Sequence, residues 1–123
     1  MTKSLEDYLE RIHILIEQGR RARVHEVAGE LNVRMPSVNK AVSELKKLGL
    51  VEQEPYGDLR LTEDGARLSN EIHERHTLLT AFLTKLGVTS ETAEHDACLM
   101  EHILSAETLE KVQAYVNKGK RKK

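Results

Sequence analysis

The sequence predicts a mainly α protein in which a winged helix-turn-helix domain with a small two-stranded wing precedes an all-helical domain. Apolar residues recur at helical spacing along most of the 123-residue chain, and only 3% of the residues are aromatic. Residues 50–61 instead alternate around a turn signal, which predicts a hairpin. Helix, turn, helix and hairpin in this order are typical of a winged helix. We expect domains at 1–62 and 63–117, and a disordered basic tail at 118–123.

Three helices are predicted at the start of the first domain. The first is capped by Ser4 and ends at Gly19, the second covers 24–31, and the third begins at Pro36 and ends at Gly49. Their apolar stripes, which predict the buried faces, are Leu5, Leu9, Ile12 and Ile16; Val24, Val27, Ala28 and Leu31; and Val38, Ala41, Val42, Leu45 and Leu48.

Turn and capping residues mark the wing and the long helix after it. Residues 50–54 and 59–61 are predicted strands because they flank the turn signal at 55–58. Thr62 is expected to cap a fourth helix, which ends at Gly87. The apolar stripe of this helix is Leu68, Ile72, Leu79, Leu83 and Leu86.

Two further helices are predicted in the second domain. Thr89 and Ser90 cap the fifth helix, and a short sixth helix follows Ser105. Their apolar residues are Ala93, Ala97, Met100 and Ile103 on the fifth helix, and Leu109, Val112 and Val116 on the sixth. With so few aromatic residues in the chain, a core of this kind is often completed by dimerisation.

Composition and charge narrow the classes of function. No apolar run approaches the ~18 residues of a membrane span, and the N-terminus lacks a signal-peptide core. One Cys fits a reducing compartment, so we expect a cytoplasmic protein with no membrane partner. Residues 20–60 carry eight Lys and Arg against six Asp and Glu, whereas residues 61–117 carry four against ten. This asymmetry favours one part facing phosphates and another holding cations, although solvated surface charge explains it equally well.

The predicted helix-turn-helix indicates binding to double-stranded DNA. Its third helix would enter the major groove with its first turns, while lysines and arginines meet phosphates and the wing tip packs on the backbone. The candidate DNA-binding residues are Arg34, Pro36, Ser37, Asn39, Lys40, Lys46, Lys47, Tyr56 and Arg60. The alternative is a winged helix that binds another protein.

Six side chains outside this helix-turn-helix have the chemistry of transition-metal ligands. They are Asp7, Glu10, His76, Cys98, Glu101 and His102. The last three are spaced i, i+3 and i+4, so a continuous helix would place them on one face. With Cys98 as thiolate the set carries four negative charges, which two divalent ions would balance and one would not. His73 and Glu94, each one turn from a candidate ligand, are candidates for an outer site.

At this point the chain resembles the diphtheria-toxin-repressor family of metal-dependent transcriptional regulators, and within it the shorter manganese-regulator branch. The resemblance covers residues 4 to about 116. The stretches that carry it are Glu6-Asp-Tyr-Leu-Glu-Arg-Ile12, Val33-Arg-Met-Pro-Ser-Val38, Leu59-Arg-Leu-Thr-Glu-Asp-Gly65, Arg75-His-Thr-Leu-Leu79 and Asp96-Ala-Cys-Leu-Met-Glu-His-Ile-Leu-Ser105.

The resemblance assigns all six candidate ligands to the family's core metal site. Asp7 and Glu10 match the manganese branch, whereas Cys98 matches the iron-type members. Oxygen donors suit Mn(II), while a thiolate favours Fe(II), Co(II) or Zn(II), so the resemblance implies Mn(II) or Fe(II) with the other two as surrogates. Thr80 replaces a Glu of the iron-type ancillary site, which weakens the case for such a site here.

The family's function then becomes the expectation for this chain. Two chains would pair through helices five and six, and metal would hold the third helices at the spacing of a palindromic operator. Such a protein is a repressor of metal-uptake genes and not an enzyme, and it needs no small-molecule substrate. A metal-independent winged-helix regulator is the main alternative, and a non-haem metal enzyme is a more remote one because no substrate pocket is evident.

Overall fold

A computed structural model of the chain describes residues 1–120, with side chains as far as residue 118. The elements in chain order are α1 (Lys3–Glu17), α2 (Val24–Leu31), α3 (Met35–Lys47), β1 (Val51–Gln53), β2 (Leu59–Leu61), α4 (Glu63–Lys85), α5 (Ser90–Met100) and α6 (Ala106–Lys120). Backbone contacts divide the chain into two compact units, the first ending at Asn70 and the second beginning at Glu71, within α4. The mainly helical fold class with its two-stranded wing is confirmed.

Helix α1 begins two residues earlier than the sequence indicates. Its N-cap is Thr2, whose Oγ1 accepts a hydrogen bond from the amide of Leu5 at 3.1 Å. The predicted cap, Ser4, was wrong because Ser4 already lies in the first helical turn, whereas Thr2 has the extended backbone that a capping residue needs. Leu9, Ile12 and Leu15 are completely buried and form the side of α1 that faces the core of the first unit.

Helices α2 and α3 form the predicted helix-turn-helix. Asn32 ends α2 in the left-handed conformation with φ 56°, and the amide of Val33 returns to the carbonyl of Ala28 at 3.0 Å. Asparagine tolerates this conformation better than most residues do. Helix α3 begins at Met35, one residue before the predicted start, so Pro36 lies in its first turn, where a missing amide hydrogen costs nothing.

The wing is an antiparallel pair of three-residue strands, with Val51 opposite Leu61 and Gln53 opposite Leu59. The first strand is shorter than the predicted 50–54, since Leu50 and Glu54 lie outside it. The amide of Glu54 donates to the carbonyl of Asp58 at 2.8 Å, next to the turn. Leu59 also donates its amide to the carbonyl of Ala22 at 2.7 Å. The segment before α2 therefore borders the wing.

Thr62 caps α4, as predicted. Its Oγ1 accepts from the amide of Gly65 at 3.0 Å and donates to the carbonyl of Gly49 at 2.6 Å. Gly65 itself packs against the backbone of Leu50, and a Cβ added there would overlap the Leu50 carbonyl oxygen. This close approach joins the first turn of α4 to the segment that leads into β1.

The core of the second unit is built from Leu79, Ala97, Val112 and Val116, and partly buried side chains including Phe82 pack against it. The buried residues of α5 are Ala93 and Ala97. The two aromatic rings of Phe82 and Tyr115 meet edge to face, with centroids 5.6 Å apart.

The last two helices differ at their ends from the prediction. Helix α5 ends at Met100 and not at Ile103, because Ile103 turns back to bond the Met100 carbonyl and leaves its side chain 75% exposed. Helix α6 continues to Lys120, so the first part of the predicted basic tail is helical. Residues 121–123 of that tail lie outside the described residues. None of the helices within residues 1–120 is both long and apolar enough to cross a membrane.

Candidate metal centre and nucleic-acid interface

The most unusual polar feature of the second unit is a buried carboxylate beside a histidine. Glu101, which caps the end of α5, is only 2% exposed, and its Oε1 lies 3.1 Å from Nδ1 of His76 on α4. Burial of a carboxylate is costly unless polar partners or a cation compensate it. The imidazole nitrogen and the carboxylate oxygen are both metal-ligand types, and here they lie within hydrogen-bond distance of each other.

The predicted triplet on α5 is only partly helical. The amide of Glu101 still bonds to the Ala97 carbonyl at 2.9 Å, so Cys98 and Glu101 remain one turn apart, but His102 lies beyond the last helical residue. Cys98 and His102 are both half-buried. The premise of one continuous helix through all three residues was therefore wrong, because α5 ends at Met100.

The two candidate ligands of the first unit lie on α1. Asp7 and Glu10 are half-buried and one turn apart, and Oδ2 of Asp7 accepts from Lys3 Nζ at 2.9 Å. In the described residues, neither unit contains three or more His, Cys, Asp or Glu arranged to hold a metal ion. Of the six candidates, His76 and Glu101 are thus the pair whose direct contact is evident. His73 and Glu94 are exposed.

All nine candidate DNA-binding residues are exposed on the first unit. In α3, Val38 is completely buried while Ser37, Asn39 and Lys40 face solvent, so the reading surface is separate from the core. The exposed face at the start of α3 is free to present hydroxyl, amide and ammonium groups to base edges.

Two of the nine residues also bind the wing. Nζ of Lys46 donates to Oε1 of Gln53 on β1 at 2.9 Å, and Nη1 of Arg60 on β2 lies 2.9 Å from Oε1 of Glu54. The hydrogen bond with Glu54 raises the pKa of Arg60 above its ordinary value. Lys46 and Arg60 therefore help to hold the wing as well as offering positive charge.

Sequence reasoning missed a second set of contacts on the wing, made by Arg21, Arg23 and Asp58. Nε of Arg23 donates to Asp58 at 2.9 Å, Nε of Arg21 donates to it at 3.2 Å, and Nη2 of Arg23 reaches the Tyr56 carbonyl at 3.1 Å. The hydrogen bond from Arg23 holds the pKa of Asp58 below its ordinary value. The run of arginines at 20–23 was a visible signal, but spacing alone cannot pair residues 35 positions apart.

This fold and its exposed helix define a winged-helix DNA-binding protein, and comparisons with known proteins agree. Residues 1–59 match the family model described as the N-terminal DNA-binding domain of iron-dependent repressors. Residues 62–122 match the model for the metal-binding and dimerisation domain of the same repressors. Both halves of the chain therefore point to one family.

Individual relatives give the same answer. An uncharacterised HTH-type transcriptional regulator of Methanocaldococcus jannaschii is 38% identical over 99% of both chains. The transcriptional regulator MntR of Escherichia coli is 39% identical over 93% of this chain and 74% of its own. The structure of the manganese regulator SloR superposes on this chain with a TM-score of 0.82 at 28% identity. The match covers 95% of this chain and 55% of the SloR chain.

The chain belongs to the diphtheria-toxin-repressor family of metal-dependent transcriptional regulators, which includes the MntR proteins. The resemblance inferred from the sequence is confirmed. Both named relatives are described as transcriptional regulators.

Proposed function

We propose that this protein is a repressor of metal-uptake or metal-homeostasis genes that binds its operator when Mn(II) or Fe(II) is present. The observation that carries the proposal is the Glu101–His76 pair, a buried carboxylate 3.1 Å from an imidazole. Such a pair suits a divalent cation, because a cation would offset the buried negative charge and accept the free electron pair of the imidazole.

The donor chemistry of the six proposed ligands fits a divalent transition metal. Carboxylates come from Asp7, Glu10 and Glu101, imidazoles from His76 and His102, and a thiolate from Cys98. A bound cation would add positive charge beside these acidic groups. The mixture of oxygen, nitrogen and sulfur is compatible with Mn(II) and Fe(II), with Co(II) and Zn(II) as surrogates. Two ions per chain would balance the four negative charges.

The DNA-binding part of the proposal depends on α3. Its exposed first turns present Ser37, Asn39 and Lys40 for base contacts, and Arg34 and Lys47 for phosphates. A homodimer formed through α5 and α6 would present two such helices to a palindromic operator. We expect ion binding to be coupled to operator binding. A coupling of ~1–3 kcal/mol would change operator affinity ~5–150-fold.

A selection experiment tests the proposal and does not require a known operator sequence. The full chain is incubated with a random double-stranded DNA pool in Mn(II) or in chelator, and the selected sequences and bound metal are both determined. We expect a palindromic DNA sequence to be selected with Mn(II) and not in chelator. Its two half-sites should lie ~10 base pairs apart, or a whole multiple of that distance. Parallel titrations with Fe(II), Co(II) and Zn(II) rank the metals.

A matched pair of histidine variants shows whether the proposed ligands carry the response. His102→Ala should abolish metal-stimulated binding, and so should Asp7→Ala, whereas His95→Ala should leave it unchanged because His95 is an exposed residue of α5 outside the proposed site. If both ligand variants bind as tightly as the wild type and none of the proteins responds to chelator, the chain is instead a metal-independent regulator.

A further inference from the structure

The wing of the first unit is too small to hold its own shape. Each strand has only three residues, and an isolated two-stranded hairpin is marginally stable at best. Tyr56, at its tip, is 63% exposed. Some other contact must therefore fix the position of the tip.

Besides the contacts of Lys46 and Arg60 described above, a set of contacts from the segment before α2 does so. Asp58 of the wing bonds to Arg21 and Arg23, and Arg23 also donates to the backbone carbonyl of Tyr56 at 3.1 Å. The Leu59 amide donates to the Ala22 carbonyl alongside. We refer to Arg21, Arg23 and Asp58 as the wing clamp. It connects the tip to a segment that continues directly into the helix-turn-helix.

We propose that Asp58 is a positioning residue for DNA binding, which fixes the wing tip relative to α3 through Arg21 and Arg23 without touching DNA itself. This inference rests on the proposed DNA-binding function. A side chain that is already held in place loses less conformational freedom when it binds, so the clamp raises the affinity contributed by Tyr56.

Replacing Asp58 distinguishes two roles, because the loss of positioning and the loss of negative charge change the affinity for DNA in opposite directions. Replacing Asp58 with Asn removes a negative charge and leaves Arg21 and Arg23 uncompensated, which by electrostatics alone would strengthen binding to phosphates. Loss of the clamp would instead weaken binding. Asp58 is thus either a positioning residue, whose loss lowers affinity, or a mask over two arginines, whose loss raises it.

The first measurement is a double-mutant cycle on the metal-loaded full chain, with the DNA recovered in the selection experiment. Asp58→Asn should weaken binding about 5-fold or more, and Asp58→Glu should retain most of the affinity. If Asp58 acts through the wing tip, the penalty should largely vanish in the background of Tyr56→Ala. The matched control, Asp64→Asn, removes the same charge from an exposed residue of α4 and should be additive with Tyr56→Ala.

Two outcomes of this cycle overturn the proposal. Stronger binding by Asp58→Asn would show that Asp58 masks arginines. Additive effects of Asp58→Asn and Tyr56→Ala would show that Asp58 supports folding only, and does not act through the wing tip.

A second measurement needs no DNA and separates this inference from the proposed function. The chain has no tryptophan, so Tyr56→Trp introduces a single indole at the wing tip. We expect Asp58→Asn to lower the fluorescence anisotropy of that indole, and Asp64→Asn to leave it unchanged. Unchanged anisotropy with Asp58→Asn refutes the clamp. Failure of the wild type to select DNA refutes the proposed function, and with it the role in DNA binding, but leaves the clamp itself standing.

Discussion

The two units of this protein achieve their packing in different ways. The first has a core of large aliphatic side chains from three helices and the wing, including Leu9, Ile12 and Leu45, all fully buried. The second has a cluster around Leu79 in which the other buried residues are Ala97, Val112 and Val116. It also leaves Leu99 of α5 and Tyr115 of α6 about half exposed.

Polar contacts also differ between the units. In the first, ion pairs such as Arg23–Asp58 and Arg60–Glu54 lie at the surface and fix the wing. In the second, Glu101 lies buried beside His76. The first unit therefore uses charged pairs at its surface to hold the wing, whereas the second buries a carboxylate beside a histidine, where a cation would offset the buried charge.

The largest expected effect comes from a substitution that disrupts the packing of the first unit. Gly65→Ala would place a methyl group against the Leu50 carbonyl, backbone against backbone, so the free energy of unfolding should fall by about 3 kcal/mol or more. Gly29→Ala is the control, because Gly29 lies in α2 with open space around it and should gain about 0.5–1 kcal/mol. Chemical denaturation of the metal-free protein measures both. If Gly65→Ala and Gly29→Ala had equal free energies of unfolding, the first turn of α4 would not pack closely against Leu50.

The next largest effect concerns the stabilisation of the folded protein by Mn(II). Mn(II) at 100 times its dissociation constant should stabilise the wild type by about 2.7 kcal/mol, seen as a rise in Tm. Glu101→Gln should lose most of that rise, because a neutral amide binds a cation far less well than a carboxylate does. Glu110→Gln, on the exposed face of α6, should behave as the wild type. A full Mn(II) response in Glu101→Gln would remove Glu101 from the site.

A smaller effect tests whether a second copy covers the second unit. Leu99 on α5 and Leu48 after α3 are exposed to a similar degree, 48% and 55%. Leu99→Ser should weaken self-association about 10-fold by sedimentation, because burying a leucine at an interface contributes about 1.5 kcal/mol or more. Leu48→Ser should leave the association constant unchanged. Identical behaviour of the two variants would mean that this side of α5 is not in the dimer.

The smallest effect concerns the pH dependence of the wing clamp. Arg23 lowers the pKa of Asp58 below its ordinary value. The folded state therefore binds this proton less readily than the unfolded state does. The stabilisation is fully present above about pH 4 and is lost as the pH falls through the lower folded pKa. Asp58→Asn and Arg23→Ala should each flatten the acid limb of a stability–pH curve. If the acid side of the stability–pH curve were unchanged in both variants, this pH dependence would not come from the Arg23–Asp58 ion pair.

Local sequence features gave most of the fold. The helix-turn-helix, the two wing strands and the Thr62 cap follow from apolar periodicity and from turn and capping residues, which act over a few positions. The errors lie at the ends of helices and of the first strand. Thr2 and not Ser4 caps α1, and α5 ends at Met100 and not at Ile103, since a helix ends where its last hydrogen bonds are replaced.

The candidate site could be predicted in its chemistry but not in its contacts. Thiolate, imidazole and carboxylate at helical spacing, with the stretch from Asp96 to Ser105, pointed to the family that the comparisons then identified. All six candidates, Asp7, Glu10, His76, Cys98, Glu101 and His102, remain predicted ligands. Spacing could not show that Glu101 is buried against His76, 25 residues away on another helix.

The sequence by itself determined the class of this protein, because periodicity, caps and ligand types are properties of short segments. Tertiary structure alone decided which charges meet: Arg23 with Asp58 across 35 residues, and His76 with Glu101 across 25. The physical reason is that these pairs depend on how helices and the wing pack, and packing is set by the whole core and not by any one segment.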